Sequence, residues 1–167
     1  ERFYIFDWCR NFEYFGKNPD GADAAPTQSL TERLFCVRAD LAFELQQSQY
    51  QTIPFDKQLH DDIKQLMLEQ VQQLSDRHIS VRERWKSVTR MKEPENWQYI
   101  SLLDVEVLKQ DISPLLAKSQ TDEAAKRFDL LVLLVELSQV SDSVSGTRSI
   151  KNIITIAQAL SEKSVIP

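Results

Sequence analysis

The chain has 167 residues, of which 42% are hydrophobic and 27% charged, so it can bury a core without disulfides or metals. Its formal net charge of −5 argues against a domain whose main role is to grip nucleic acid, because such domains are usually basic. Only three glycines occur, and Gly146 alone follows residue 21. That is too few for the tight turns of an all-β fold and favours long helices joined by short loops.

Cysteine usage and hydropathy predict a cytoplasmic protein with no membrane partner. Cys9 and Cys36 are far apart in the sequence, which indicates reduced thiols rather than a disulfide framework or a zinc site. No signal peptide is visible, and no apolar run reaches the roughly 18 residues that cross a membrane. The chain starts at Glu1, without Met and without a preceding element, and we therefore expect it to be a piece of a larger protein.

Residues 1–26 predict an extended arm that includes a short strand at residues 2–6. A turn-rich break at residues 16–21 follows it. The arm is rich in aromatic side chains, which are Phe3, Trp8, Phe12, Tyr14 and Phe15. We expect these side chains to be buried against the helical body or against another domain. Stacking on bases is the alternative, and we favour packing between domains.

Residues 27–167 predict an all-α, irregular bundle of about six helices. Ser29 and Glu32 have capping-box spacing at the start of a first helix that extends to about Gln49. Pro54 suits the first residue of a second helix, and the third covers residues 77–91.

The fourth predicted helix starts at Ser101. Its inward-facing residues are predicted to be Leu103, Val107 and Leu108. Thr121 is the predicted N-cap of a fifth helix, with acids in its first turn. The apolar run at residues 130–135 places that helix in the middle of the bundle, and a buried strand is the alternative. We expect Gly146 to break the chain and Thr147 to cap a last helix that extends to about Lys163.

Motifs for catalysis are weak. The Lys-Ser pairs at residues 86, 118 and 163 lack the glycines of a phosphate-binding loop. Asp20 with the Asp-Ile-Lys triplet at residues 62–64 imitates a nuclease metal site, but the triplet falls in a helical pattern and that chemistry is built on strands. His60 with Asp61 and Asp62 is interpreted as solvated surface. We assign no catalytic, cofactor or metal residue, and a small helical enzyme with an unrecognised site stays an alternative.

A cluster of basic residues is the strongest functional candidate in the sequence. Sixteen residues contain a single acid, Glu83, and six cations, which are Arg77, Arg82, Arg84, Lys86, Arg90 and Lys92. The four-residue spacing of Arg82, Lys86 and Arg90 predicts one shared helix face, opposite an apolar stripe of Val81, Trp85 and Val88. One interpretation is that the cations contact DNA phosphates or an acidic partner. The other is that acids of neighbouring helices neutralise them. We favour neutralisation.

Several segments resemble a known family. Residues 3–7 (Phe-Tyr-Ile-Phe-Asp) and 11–15 (Asn-Phe-Glu-Tyr-Phe) resemble the stretch after the last helicase motif in the R (restriction and motor) subunit of type I restriction-modification enzymes. Residues 81–97, residues 108–116 with their Ile-Ser-Pro-Leu-Leu, and residues 125–129 (Ala-Lys-Arg-Phe-Asp) are similar to the helical region that follows that motor.

The resemblance implies a parent with a nuclease domain, two ATP-hydrolysing motor domains and a C-terminal helical region. Residues 1–26 would be a remnant of the second motor domain, and residues 27–167 the helical domain that supports the motor and docks it to the methyltransferase (M) subunit. The parent would be an ATP-dependent DNA translocase and site-specific deoxyribonuclease. Its ATP and Mg²⁺ residues have no matching positions here, so we expect a non-catalytic chain. A helical module that binds the DNA backbone through the third helix is the alternative.

Overall fold

The computed structural model describes residues 28–116, 122–141 and 146–163, so the predicted arm with its five aromatic residues lies outside the described residues. The fold is an all-α, irregular bundle, as predicted. The described residues form eight α-helices, which are α1 (Leu30–Leu45), α2 (Ser48–Gln51), α3 (Pro54–Gln72), α4 (Ile79–Glu83), α5 (Trp85–Lys92), α6 (Leu102–Val107), α7 (Glu123–Val140) and α8 (Gly146–Lys163). A 3₁₀ turn covers Pro94–Trp97, and α6 continues as a π-helical turn (Leu108–Ile112) and a 3₁₀ turn (Ser113–Leu115).

The bundle contains more helices than predicted because two predicted helices are interrupted. The first ends at Leu45, where Gln51 Nε2 donates to the Leu45 carbonyl at 2.8 Å and so satisfies a carbonyl that the helix end exposes. Next to it, the Gln46 side chain donates to the Ile100 carbonyl at 2.7 Å and accepts from the Ile100 N–H at 3.0 Å. The third predicted helix is interrupted at Arg84, whose φ of −110° and ψ of 20° are not helical.

Helix α1 is the centre of the bundle. Its fully or nearly fully buried side chains lie on several sides, and they are Leu34, Phe35, Ala39, Leu41, Ala42 and Leu45. Helices α3, α6 and α7 pack around it. The strand-free core of the described residues therefore forms around one helix.

Contacts along α1 give the direction of its neighbours. The π-helical turn after α6 runs antiparallel to α1, because Lys109 Nζ lies 2.9 Å from the Asp40 carboxylate and Ser113 contacts Cys36 further back along α1. Helix α7 runs parallel to α1, since the Tyr50 hydroxyl beyond the end of α1 donates to the carbonyl of Val140, the last residue of α7. One end of the bundle thus holds the starts of both α1 and α7.

Several predicted burial positions need correction. Val81 and Val88 are buried, but Trp85 is 40% exposed, because the break at Arg84 turns it away from the line of Val81. Leu108 is buried and Val107 half-buried, whereas Leu103, predicted to face inward, is 63% exposed. The capping box at Ser101 directs Asp104 inward instead.

Helices α7 and α8 correct the predicted C-terminal half. Residues 130–135 are helical, as predicted, but only Leu130 is buried and the rest of the run is half-buried, because one side of α7 packs on α1 and another on α8. The N-cap of α7 is Asp122, whose carboxylate accepts from Ala125 N–H, while Thr121 lies outside the described residues. Gly146 is the first residue of α8 and not a break before it.

His60, predicted to be solvated surface, is buried. It is 5% exposed because it shares a face of α3 with Ile63 and Met67, three and seven residues later. Its Nδ1 lies 3.3 Å from Asp61 Oδ1, and Nε2 has no hydrogen-bond partner among the described residues. Burial, helped by the charge of Lys64, lowers the pKa of His60, and Asp61 only partly opposes this effect.

The buried imidazole predicts acid sensitivity. The unfolded chain binds a proton at His60 more readily than the folded chain, so stability is complete above the ordinary histidine pKa of 6.5 and declines as the pH falls below it. The decline is at most about 1.4 kcal/mol per pH unit. Urea unfolding followed across this range should show a shallower pH dependence in His60→Gln than in the control His78→Gln, whose parent side chain is exposed. An equal pH dependence of the unfolding free energy in the two variants would contradict a role of buried His60 in acid sensitivity.

Candidate functional site

The predicted basic face is divided between two helices. Arg82 lies in α4, whereas Lys86 and Arg90 lie in α5. The prediction of one continuous helix face for these three residues is wrong, because the non-helical backbone of Arg84 separates α4 from α5. All three side chains are nevertheless exposed, and so is that of Arg77.

Two of the six cations stabilise the fold. The Arg90 guanidinium forms an ion pair with the Asp104 carboxylate, and Asp104 is only 4% exposed. Lys92 Nζ donates to the Leu74 carbonyl at 2.5 Å and lies 5.5 Å from the centre of the Trp85 ring, which is within the range of a cation–π interaction. Arg90 and Lys92 therefore have partners within the chain, and the prediction of neutralisation is confirmed for Arg90.

Asp104 connects the basic segment to the start of α6. Its carboxylate accepts from the Ser101 hydroxyl at 2.5 Å and from the Ser101 N–H at 2.9 Å, which completes a capping box. Burial alone would raise the pKa of Asp104, but the hydrogen bonds from Ser101 and the charge of Arg90 outweigh burial and lower it. Asp104 is thus an ionised structural group and not an acid poised for proton transfer.

Within the described ranges, the four remaining cations form no ion pair. Among the described residues, no carboxylate oxygen lies within 4.0 Å of the side-chain nitrogens of Arg77, Arg82, Arg84 or Lys86. We name these four residues the basic ridge. Arg84 is half-buried and the other three are exposed. None of the described acids forms an ion pair with the ridge, and neutralisation of its four cations stays a prediction.

Helix α8 exposes a second candidate surface, which the sequence analysis did not single out. Ser149 is buried and Ile153 half-buried on the side that packs against α7. The exposed apolar residues of α8, which we together name the outer face of α8, form two pairs on different sides of the helix, Ile150 with Ile154 and Ile156 with Leu160. The three- and four-residue spacing of the isoleucines indicates an apolar helix face. The spacing does not indicate that α7 covers only part of it.

The cavities of the described residues have mixed apolar and polar linings. A cleft of about 560 Å³ is lined mainly by apolar side chains, and its polar groups include Ser80, His78 and Lys126. No three potential metal ligands converge anywhere in the described ranges. The Asp-Ile-Lys triplet at residues 62–64 lies within α3, and Gln58 donates to the exposed Asp62 carboxylate at 2.8 Å. Asp62 therefore lies on the surface of a helix, and not on a strand as the nuclease metal site would need.

Comparison with known proteins gives no match, because no family model, no curated protein and no solved structure is significantly similar to the chain. Within the described ranges, no helix combines the length and the apolar character needed to cross a membrane. Function therefore has to be argued from the fold, the basic ridge and the outer face of α8.

Proposed function

We propose that the chain is a non-catalytic helical C-terminal domain of the R subunit of a cytoplasmic type I restriction enzyme. In this proposal the domain supports the motor and docks it to the methyltransferase core, while ATP and Mg²⁺ belong to the motor domains of the parent. The observation that carries it is the order of parts: an all-α body follows the aromatic segment at residues 3–15, which resembles the end of the motor.

The outer face of α8 supports a role in packing against another domain. Ile154 is 50% exposed and Leu160 is 62% exposed, although both lie on an 18-residue helix that already packs against α7. Exposed apolar side chains of this size are available for burial against another domain. Covering each of these side chains would contribute about 1 kcal/mol or more.

The position of this face indicates which part of the parent covers it. Only residues 141–145 connect α7 to α8, and the two helices pack against each other. Because helices joined by so short a connection are antiparallel neighbours, α8 runs antiparallel to α7. The end of α8 therefore lies near the start of α7, which is also the end of the bundle where α1 begins. The preceding part of the polypeptide enters at that end, so we assign the motor domain of the same chain to the outer face of α8.

This assignment predicts that acidic substitutions on α8 weaken association with the motor. The purified chain is mixed with the upstream motor fragment of its parent, and sedimentation measures the complex. Ile156→Asp combined with Leu160→Asp, the exposed apolar pair nearest the end of α8, should weaken the complex at least about tenfold, since two apolar contacts become buried charges.

The control carries the same added charge on a different face of α8. Thr155 and Gln158 are exposed polar residues, and Thr155→Asp combined with Gln158→Asp should leave the affinity within about twofold. Equal weakening by both pairs of substitutions would count against the outer face, and no complex with the unaltered chain would count against the motor as its partner.

A further inference from the structure

The basic ridge concentrates unpaired positive charge on an acidic chain. The whole chain carries a formal charge of −5, so the part outside the ridge is more acidic still. Cations that stabilise a fold usually meet an acid or a carbonyl, as Arg90 and Lys92 do. The four ridge residues lack such carboxylate partners in the described structure, and like charges this close in sequence repel each other.

The surroundings of the ridge suit phosphate groups. Three of its four members are arginines, whose planar guanidinium can bind two phosphate oxygens at once. The exposed hydroxyls of Ser80 and Thr89 flank the ridge, and Ser and Thr are common donors to phosphate oxygens. Arg82 and Lys86 lie on either side of the helix break, so they project from two short helices and not from one rigid row.

The same surroundings are poor for a protein partner. An interface between proteins needs an apolar centre that excludes water. From Arg77 to Arg90 the exposed side chains are polar or charged, except Ile79 and Trp85, and Lys92 already lies over the Trp85 ring. An acidic protein would therefore meet mostly charge, with Ile79 as the one exposed apolar side chain of this segment that no cation covers.

We propose that the basic ridge binds the phosphate backbone of nucleic acid without reading its base sequence. This inference goes beyond the proposed docking role and does not depend on it, because it uses a different surface. Binding of this kind is electrostatic and releases counterions. For about three phosphate contacts, a fourfold rise in salt should weaken binding to duplex DNA by about 40-fold.

The experiment measures fluorescence anisotropy of a labelled DNA duplex of random sequence with the whole chain at low salt. Reversing three charges of the ridge, by Arg77→Glu, Arg82→Glu and Lys86→Glu, should weaken binding at least about tenfold. The control reverses three exposed cations elsewhere, by Lys57→Glu, Arg148→Glu and Lys151→Glu, and should keep most of the affinity. Both variants change the net charge equally, so the comparison separates the ridge from overall charge.

Three results would overturn the proposal. They are no binding to the duplex at low salt, equal weakening by the two triple variants, or binding of poly-glutamate as tight as binding of the DNA duplex. The last result would indicate an acidic protein as the partner. Circular dichroism checks that the variants fold, and the neutral set Arg77→Gln, Arg82→Gln and Lys86→Gln replaces the reversal set if that one unfolds. Success or failure here leaves the association with the motor unchanged, since that association is assigned to α8.

Discussion

Replacing Phe35 with Ala is expected to lower the free energy of unfolding by about 3 to 5 kcal/mol. Phe35 is 0% exposed and lies in the middle of the core cluster around α1. Removing its ring takes away apolar contacts and leaves a cavity that the surrounding helices fill only in part. Because α3, α6 and α7 pack around α1, the surrounding side chains cannot collapse onto the cavity from one side alone.

Urea unfolding followed by circular dichroism measures this loss. The control is Phe55→Ala, which removes the same ring from a side chain that is 65% exposed at the start of α3. That substitution should cost no more than about 1 kcal/mol. Similar losses for the two variants would contradict the position of α1 at the centre of the bundle.

Replacing Asp104 with Ala is expected to cost about 2 to 4 kcal/mol. The substitution removes the carboxylate that pairs with Arg90 and accepts two hydrogen bonds from Ser101. The Arg90 side chain is 45% exposed, so water compensates it in part, and the loss is smaller than for a fully buried ion pair.

The pH dependence of this effect separates charge from packing. The lowered pKa of Asp104 means that its stabilisation is complete above the ordinary value of 3.8 and is lost as the pH falls through the folded value. The difference between the unaltered chain and Asp104→Ala should therefore shrink in strong acid. Asp62→Ala, which removes an exposed carboxylate on α3, is the control and should cost about 0.5 kcal/mol or less. A pH-independent loss at Asp104 would contradict an electrostatic role.

Local signals in the sequence predicted three of the helix starts. Ser29 accepts from the Glu32 N–H at 3.3 Å, Pro54 begins α3, and Ser101 forms a complete capping box. Each of these signals depends on residues within one helical turn. The all-α class followed from the same kind of evidence, because helical spacing of apolar residues recurs along the chain.

Contacts between distant residues could not be predicted in this way. The end of α1 depends on Gln46 bonding to Ile100, 54 residues away, and no local pattern indicates that pairing. The sequence showed the cluster of cations, but it did not show that Asp104 pairs with Arg90 while no described carboxylate pairs with the basic ridge. His60 is different, since its spacing from Ile63 and Met67 was a usable signal for burial.

The association of the purified chain with the methyltransferase core of the parent enzyme tests the proposed function most directly. Sedimentation should show a complex between the chain and the core, and the same preparation should show no turnover of ATP. Turnover of ATP by the chain, or the absence of any complex with the core, would contradict a non-catalytic docking domain.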